Sequence, residues 1–148
     1  ETVLVLIDYT KPSTEKRFYI LDLLQKKLLL STYVAHGRGS GDNYAVAFSN
    51  RPGSYQSSLG FFRTGDTYMG KNGYSLFLDG LEKGINDKAR ERAIVVHGAN
   101  YADPAVLKGQ QRLGRSLGCP ALPPDISKQV IDTIKGGVLL YIYGLNKA

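Results

Sequence analysis

The feature that most constrains this sequence is its punctuation. Glycine, proline and polar turns cut the apolar runs to roughly five to eight residues, short for helices and right for strands. Val3 to Tyr9 is apolar and β-branched until Lys11-Pro12-Ser13 breaks it. Arg17 to Leu24 and Leu28 to Ala35 read as two strands joined at Lys26-Lys27, although leucines at mixed spacing leave a helix over Leu21 to Leu30 as the competing reading. Tyr44 to Ser49 and Gly60 to Arg63 are short strand candidates, separated by the Pro52-Gly53 turn. Tyr74 to Leu81 alternates after the Gly70-Lys71-Asn72-Gly73 turn. Val138 to Tyr143 reads as a last buried strand. Seventeen glycines, and ten tyrosines against five phenylalanines with no tryptophan, suit the same tight-turned, β-rich chain.

Only one segment has a clear helical period. Ile126, Val130 and Ile134 recur at every fourth residue, with Ile131 alongside and Gly136-Gly137 as the stop, and Asp125 stands where an N-cap belongs. A shorter helix over Asp87 to Arg92, capped by Asn86, is expected to lead into the run Ile94-Val95-Val96-His97. The 148 residues make one domain, 1–148, with no linker, repeat or low-complexity segment. With 43% apolar and 22% charged residues the chain is folded rather than disordered.

A net charge of +6 attracts anionic partners, with nucleic acid and an anionic cell envelope as the two candidates. The basic residues are scattered and no nucleic-acid-binding motif is present, so no nucleic-acid partner is expected. The glycine-rich loop His36-Gly37-Arg38-Gly39-Ser40-Gly41 lacks the lysine and the strand-to-helix setting of a phosphate-binding loop. No apolar run reaches eighteen residues, so no membrane span is expected. Thr2 to Tyr9 is too short for a signal core and reads as a strand, so an exported form would have had its signal removed.

Chemistry concentrates between His97 and Cys119. Cys119 is the only cysteine, so it acts as a thiol and in no internal disulfide. His97 closes a buried β-branched strand, with Gly98 leaving the ring approachable and offering a carbonyl to orient it. Gly118 lets the chain bend before Cys119 and leaves room for a substrate carbonyl above the sulfur. The N–H groups of Gly118 and Cys119 are placed to form an oxyanion hole, and Pro120 has no N–H to add. This is the pattern of a nucleophilic cysteine with a histidine base. His36, His97 and Cys119 have the atom types of a zinc site. No two of them are close in sequence and no carboxylate stands near for support, so neither a metal nor another cofactor is expected. His36 is instead expected as a loop residue facing the same cleft. Of Arg112 and Arg115 in the loop before the thiol, Arg115 is the better candidate for a substrate carboxylate. Tyr101 is a candidate cleft wall, and Ser116 a residue that holds the loop by hydrogen bonding to backbone.

The order His97-Gly98, then Ser116-Leu117-Gly118-Cys119, resembles the signature of the L,D-transpeptidase catalytic domain, a His-Gly on a strand followed by Ser/Thr-His-Gly-Cys. Ser57-Ser58-Leu59-Gly60-Phe61-Phe62 is loosely similar to that family's Thr-Pro-x-Gly-x-aromatic stretch. Leu117 stands in place of the second histidine, and Pro120-Ala121 in place of an apolar residue and an Arg or Asn, so the chain looks like a divergent branch. The resemblance covers nearly the whole chain and implies a mainly β, sandwich-like domain with one or two short helices. It also implies a cysteine acyltransferase that works through a thioester on a peptidoglycan stem peptide, in the periplasm or cell envelope. An L,D-carboxypeptidase, or a non-catalytic basic wall-binding domain, is the alternative.

Overall fold

The computed structural model describes residues 2–147 as eight strands in one mixed sheet, with one α-helix. The strands are β1 (Val3–Asp8), β2 (Phe18–Asp22), β3 (Lys27–Thr32), β4 (Gly60–Gly70), β5 (Gly73–Gly80), β6 (Val95–Gly98), β7 (Ala121–Leu122) and β8 (Leu139–Tyr143). Helix α1 spans Pro124–Ile134. The mainly β class expected from the sequence is what the chain adopts. The sheet order is β3-β2-β1-β8-β4-β5-β6-β7, with hairpins β1–β2–β3 and β4–β5–β6 brought together by the last strand. Strand β8 runs parallel to β1, Val5 beside Leu140, and antiparallel to β4, Phe62 beside Leu140. It is therefore covered on both edges, and its Leu140 and Ile142 are buried as their apolar run requires.

The two ends of the sheet meet. Beyond β3 the chain reaches Ala35, which pairs antiparallel with Ala121 of β7 through N···O bonds of 2.8 and 3.3 Å. Two residues on, Gly37 pairs with Ser116, with Arg38 N–H donating to Ser116 O at 2.8 Å and Ser116 N–H to His36 O at 3.0 Å. The sheet thus curls until its first and last strands are stitched together around the segment that carries Cys119. Inside lies one apolar core that includes Val5, Ile7, Phe18, Phe62, Leu76, Leu78 and Val96, closed by Val130, Ile131 and Ile134 of α1.

Helix α1 buttresses the catalytic-looking strand. It packs on β6 so closely that a Cβ at Gly98 would sit 2.4 Å from Ser127 Oγ, so only glycine fits there. Pro123 occupies the cap position, so Asp125, the expected cap, lies two residues further on in the first turn, where its charge complements the helix dipole. At the other end Gly136 and Gly137 take φ of +83° and +102°. Thr64 Oγ1 ties off that end, donating to Ile134 O at 2.7 Å and accepting from Val138 N–H at 2.8 Å.

Two expected elements are absent. Residues 44–49 form no strand; their backbone is held by loop contacts, Val46 and Ala47 N–H to Ser40 O and Ser49 N–H to Ser57 O. Nor do residues 87–92 form a helix, because the Asn86 side chain is spent elsewhere. Its amide donates to Leu59 O at 2.8 Å and Phe61 O at 2.9 Å and accepts from Glu82 N–H at 2.9 Å, pinning a series of turns onto the start of β4. Asn86→Ala would remove all three of these part-buried bonds at a side chain that is itself fully buried. It should lower the unfolding free energy by about 2 kcal/mol, read as a lower urea midpoint at unchanged slope.

Candidate active site

Residues from four parts of the chain line one cleft of about 320 Å³: Lys71 and Asn72 from the β4–β5 turn, Arg92 and Ala93 just before β6 with His97 on it, Tyr101 after it, and Arg115 to Leu117 with Cys119. The β6–β7 pairing sets the central geometry. His97 lies beside Ala121 in parallel register, so Cys119, two residues earlier, falls level with Val95 and on the same stretch of strand edge. Val95 N–H donates to Cys119 Sγ at 3.4 Å. The thiol in turn donates to Ala93 O at 3.3 Å, and that carbonyl is turned toward the sulfur by a residue in the left-handed region, φ +55°.

His97 is 3% exposed, and its Nδ1 lies 2.9 Å from Gly98 O. A carbonyl only accepts, so Nδ1 carries the proton and Nε2 keeps its lone pair. The expected orienting role of the Gly98 carbonyl is therefore built into the strand end. Burial pulls the imidazole below its usual pKa, opposed by the Gly98 bond. Burial likewise pushes the Cys119 thiol up, against the Val95 N–H and the nearby charges of Arg92 and Lys71. The sulfur and the ring share the cleft without a hydrogen bond between them, so the resting pair is neutral thiol and neutral imidazole, not a preformed ion pair.

Both glycines turn their bare sides toward protein. At Gly118, whose φ is +128°, a Cβ would sit 2.9 Å from Ile94 Cδ1 and 3.1 Å from Gln56 O, so its missing side chain lets the loop pack onto the protein. The bare side of Gly98 faces α1. The Gly118 N–H donates to Ser116 Oγ at 3.1 Å, and that hydroxyl donates to Cys119 O at 2.6 Å, so Ser116 holds the loop as its chemistry suggested. No protein acceptor among the described residues takes the Cys119 N–H.

Tyr101 walls the cleft beside Gly114, where a Cβ would meet its own at 2.3 Å. Burial pushes its phenol up to about 12, so it stays neutral. Arg115 lines the cleft and donates to Gly41 O at 3.2 Å, while Arg112 turns away to pair with Asp42 at 2.6 Å. Leu117 is 53% exposed on the rim. His36 is not on the cleft: it is 1% exposed, beneath the loop, between Arg17 and Gly41. The sheet closure drew it inward, since its flanking residues bridge to β7 and Ser116. Among the described residues no group of three His, Cys, Asp or Glu side chains is gathered to hold a metal ion.

Sequence reasoning missed Arg92. Its guanidinium donates to Ser49 O, Ser58 Oγ, Ser54 Oγ and Gln56 O at 2.7 to 3.2 Å, tying the 49–58 loop beneath the thiol. No carboxylate pairs with Arg92 or Arg115 among the described residues, and none lines the cleft. With Lys71 the cleft therefore holds three cations and no anion. No local signal marks Arg92, because its partners lie 34 to 43 residues away. Iodoacetamide labelling of Cys119 in the free protein should be slow at about pH 6, keep rising with pH beyond the range where an ordinary thiol levels off, and slow further in Arg92→Gln. Fast labelling at about pH 6 would contradict the neutral resting pair.

A family model of the L,D-transpeptidase catalytic domain matches residues 1–143. Among curated proteins none matches significantly. The fold is similar to that of an L,D-transpeptidase from Mycobacterium smegmatis, at 13% identity and TM-score 0.57, over 97% of this chain and 59% of that one. It is also similar to the K307A mutant of the helical cell shape determining protein Pgp2 from Campylobacter jejuni, at 16% identity and TM-score 0.64, over 99% of this chain and 48% of that one. An L,D-transpeptidase from Stackebrandtia nassauensis has 15% identity and TM-score 0.57, over 99% and 58%. The chain thus spans about half to three-fifths of the length of these solved proteins. No helix among the described residues is long and apolar enough to cross a membrane. A curled mainly β sheet that sets a lone cysteine beside a strand-end His-Gly, and a family match from end to end of the described core, place this chain in the L,D-transpeptidase catalytic domain family.

Proposed function

We propose that the chain is a cysteine acyltransferase that opens the amide at the L-centre of the diamino acid in a peptidoglycan stem peptide. It carries the acyl group on Cys119 and passes it to an amine. The observation that carries this reading is the shared cleft of Cys119 and His97, lined by three cations and no carboxylate. A peptide ending in a free carboxylate suits that field, and Arg115 is the residue that binds it.

The thiol adds to the carbonyl carbon while its proton moves to Nε2 of His97, the one imidazole nitrogen left free by the Gly98 bond. Because both groups rest neutral, charge appears only as the S–C bond forms. Arg92 then favours the sulfur's developing negative charge, and Gly98 O steadies the imidazolium. The Cys119 N–H is the donor free to meet the oxyanion, and the Gly118 N–H joins it by leaving Ser116 Oγ. Collapse breaks the C–N bond and His97 returns the proton to the departing D-residue. The acceptor amine attacks the thioester, and the thiol is released with its proton. Such a substrate lies outside the cytoplasmic membrane, in the periplasm or cell envelope.

The test offers purified stem tetrapeptide and an amine acceptor, with mass spectrometry reading both products. Release of the terminal D-residue with an equal amount of amine-linked product is expected. Water taken up in place of the amine would make the chain an L,D-carboxypeptidase. Cys119→Ala should abolish turnover and His97→Gln should lower kcat by about a hundredfold or more. Full activity in Cys119→Ala, or none in the intact protein, would overturn the reading.

A further inference from the structure

His36 has no part in the chemistry above, yet it is one of the most buried polar groups in the protein, and its two ring nitrogens are both engaged. Arg17 Nη2 lies 2.9 Å from Nδ1, and Nε2 lies 3.1 Å from Gly41 O. A guanidinium has no acceptor and a carbonyl no donor, so the tautomer is fixed by its neighbours: Nδ1 accepts and Nε2–H donates. Arg17 is itself fully buried with no carboxylate partner. Its other donors go to Val34 O and Lys11 O, and it lies over the Tyr9 ring at 4.7 Å. Burial and the Arg17 charge hold the imidazole down near 4, which keeps it neutral.

The same Gly41 carbonyl accepts a second bond, from Arg115 Nη1 at 3.2 Å. Its two lone pairs are thus taken by one buried imidazole and one cleft arginine. Gly41 has little freedom to move: at φ +150° a Cβ there would sit 2.2 Å from Tyr44 O. The chain Arg17, His36, Gly41, Arg115 runs unbroken from the core to the cleft wall.

We propose that His36 is a positioning residue for substrate recognition: by holding the Gly41 carbonyl from behind, it fixes the guanidinium of Arg115 where its remaining donors meet the terminal carboxylate of the acyl donor. The relay itself rests on the geometry alone; its consequence for substrate rests on the stem-peptide reading. His36 touches neither substrate nor reacting atoms. Its loss acts on recognition of one charged group and leaves the thiol chemistry alone.

Two measurements on the whole chain test this. Nitrogen-15 spectra of the histidine rings should show His36 as the Nε2–H form, and Arg115→Gln should shift that nitrogen; an Nδ1–H form, or no response, overturns the relay. The second uses Cys119→Ala protein, which binds without turnover, and a stem tetrapeptide with its terminal carboxylate either free or amidated. His36→Leu should weaken binding of the free acid about tenfold, as Arg115→Gln does, with no further loss in the double variant. His36→Gln, whose side-chain amide can still donate to Gly41 O, should bind within about threefold of the His36 protein. The amidated peptide should bind all of these alike. Additive losses, or equal losses for the amidated peptide, overturn the positioning role. If neither peptide binds with His36 and Arg115 intact, the stem-peptide reading falls, and the ring spectra still decide the relay.

Discussion

The short backbone stitch between residues 35–38 and 116–121 is the constraint on which the rest depends. Strand β7 has two residues, and by itself would hold nothing. Paired with β6 on one side and with Ala35 on the other, it becomes the seam of a curled sheet, and Cys119 is carried to the seam with it. The same seam pulls His36 under the loop, lets Ser116 brace the turn, and leaves the sulfur against Val95 N–H. A thiol on a loop is placed here with the rigidity of a strand, because backbone bonds on both sides fix it.

The electrostatics follow from that enclosure. A sulfur and an imidazole buried together both favour their neutral forms, so the site stores no ion pair before substrate arrives. Arg92 and Lys71 oppose the burial penalty on the thiol, and Arg92 is held by four acceptors so that its charge stays put. A preformed field aimed at where charge develops costs no rearrangement during the reaction. The three cations that line the cleft have no acidic partner there, and they bias it toward anionic ligands.

Much of this was legible in the sequence wherever a local pattern decides the outcome. Alternating and β-branched runs marked β1, β2, β3, β5, β6 and β8, and the Ile126, Val130, Ile134 spacing marked α1. The hairpin over residues 18–32 formed in place of the competing helix. Local patterns misled where side chains bond across long distances: Asn86 looked like a cap but serves the carbonyls of Leu59 and Phe61, and the 44–49 run had strand composition but no strand edge to join. Residue type and short spacing point to Cys119, His97, Tyr101 and Arg115, and all four line one cleft. His36 was misplaced and Arg92 missed for a common reason. His36 takes its position from the closure of the sheet and Arg92 from its bonds to the 49–58 loop, both long-range events that no window of neighbouring residues records.

In the proposed mechanism Cys119 carries the acyl group. Intact-protein mass spectrometry, sampled during turnover of a stem tetrapeptide and followed by peptide mapping, tests it most directly. The expected result is a transient gain equal to the tripeptide acyl group, mapped to Cys119 and released by hydroxylamine as a thioester must be. Release of the D-residue with Cys119 never modified, or an adduct mapped to any other residue, would contradict it.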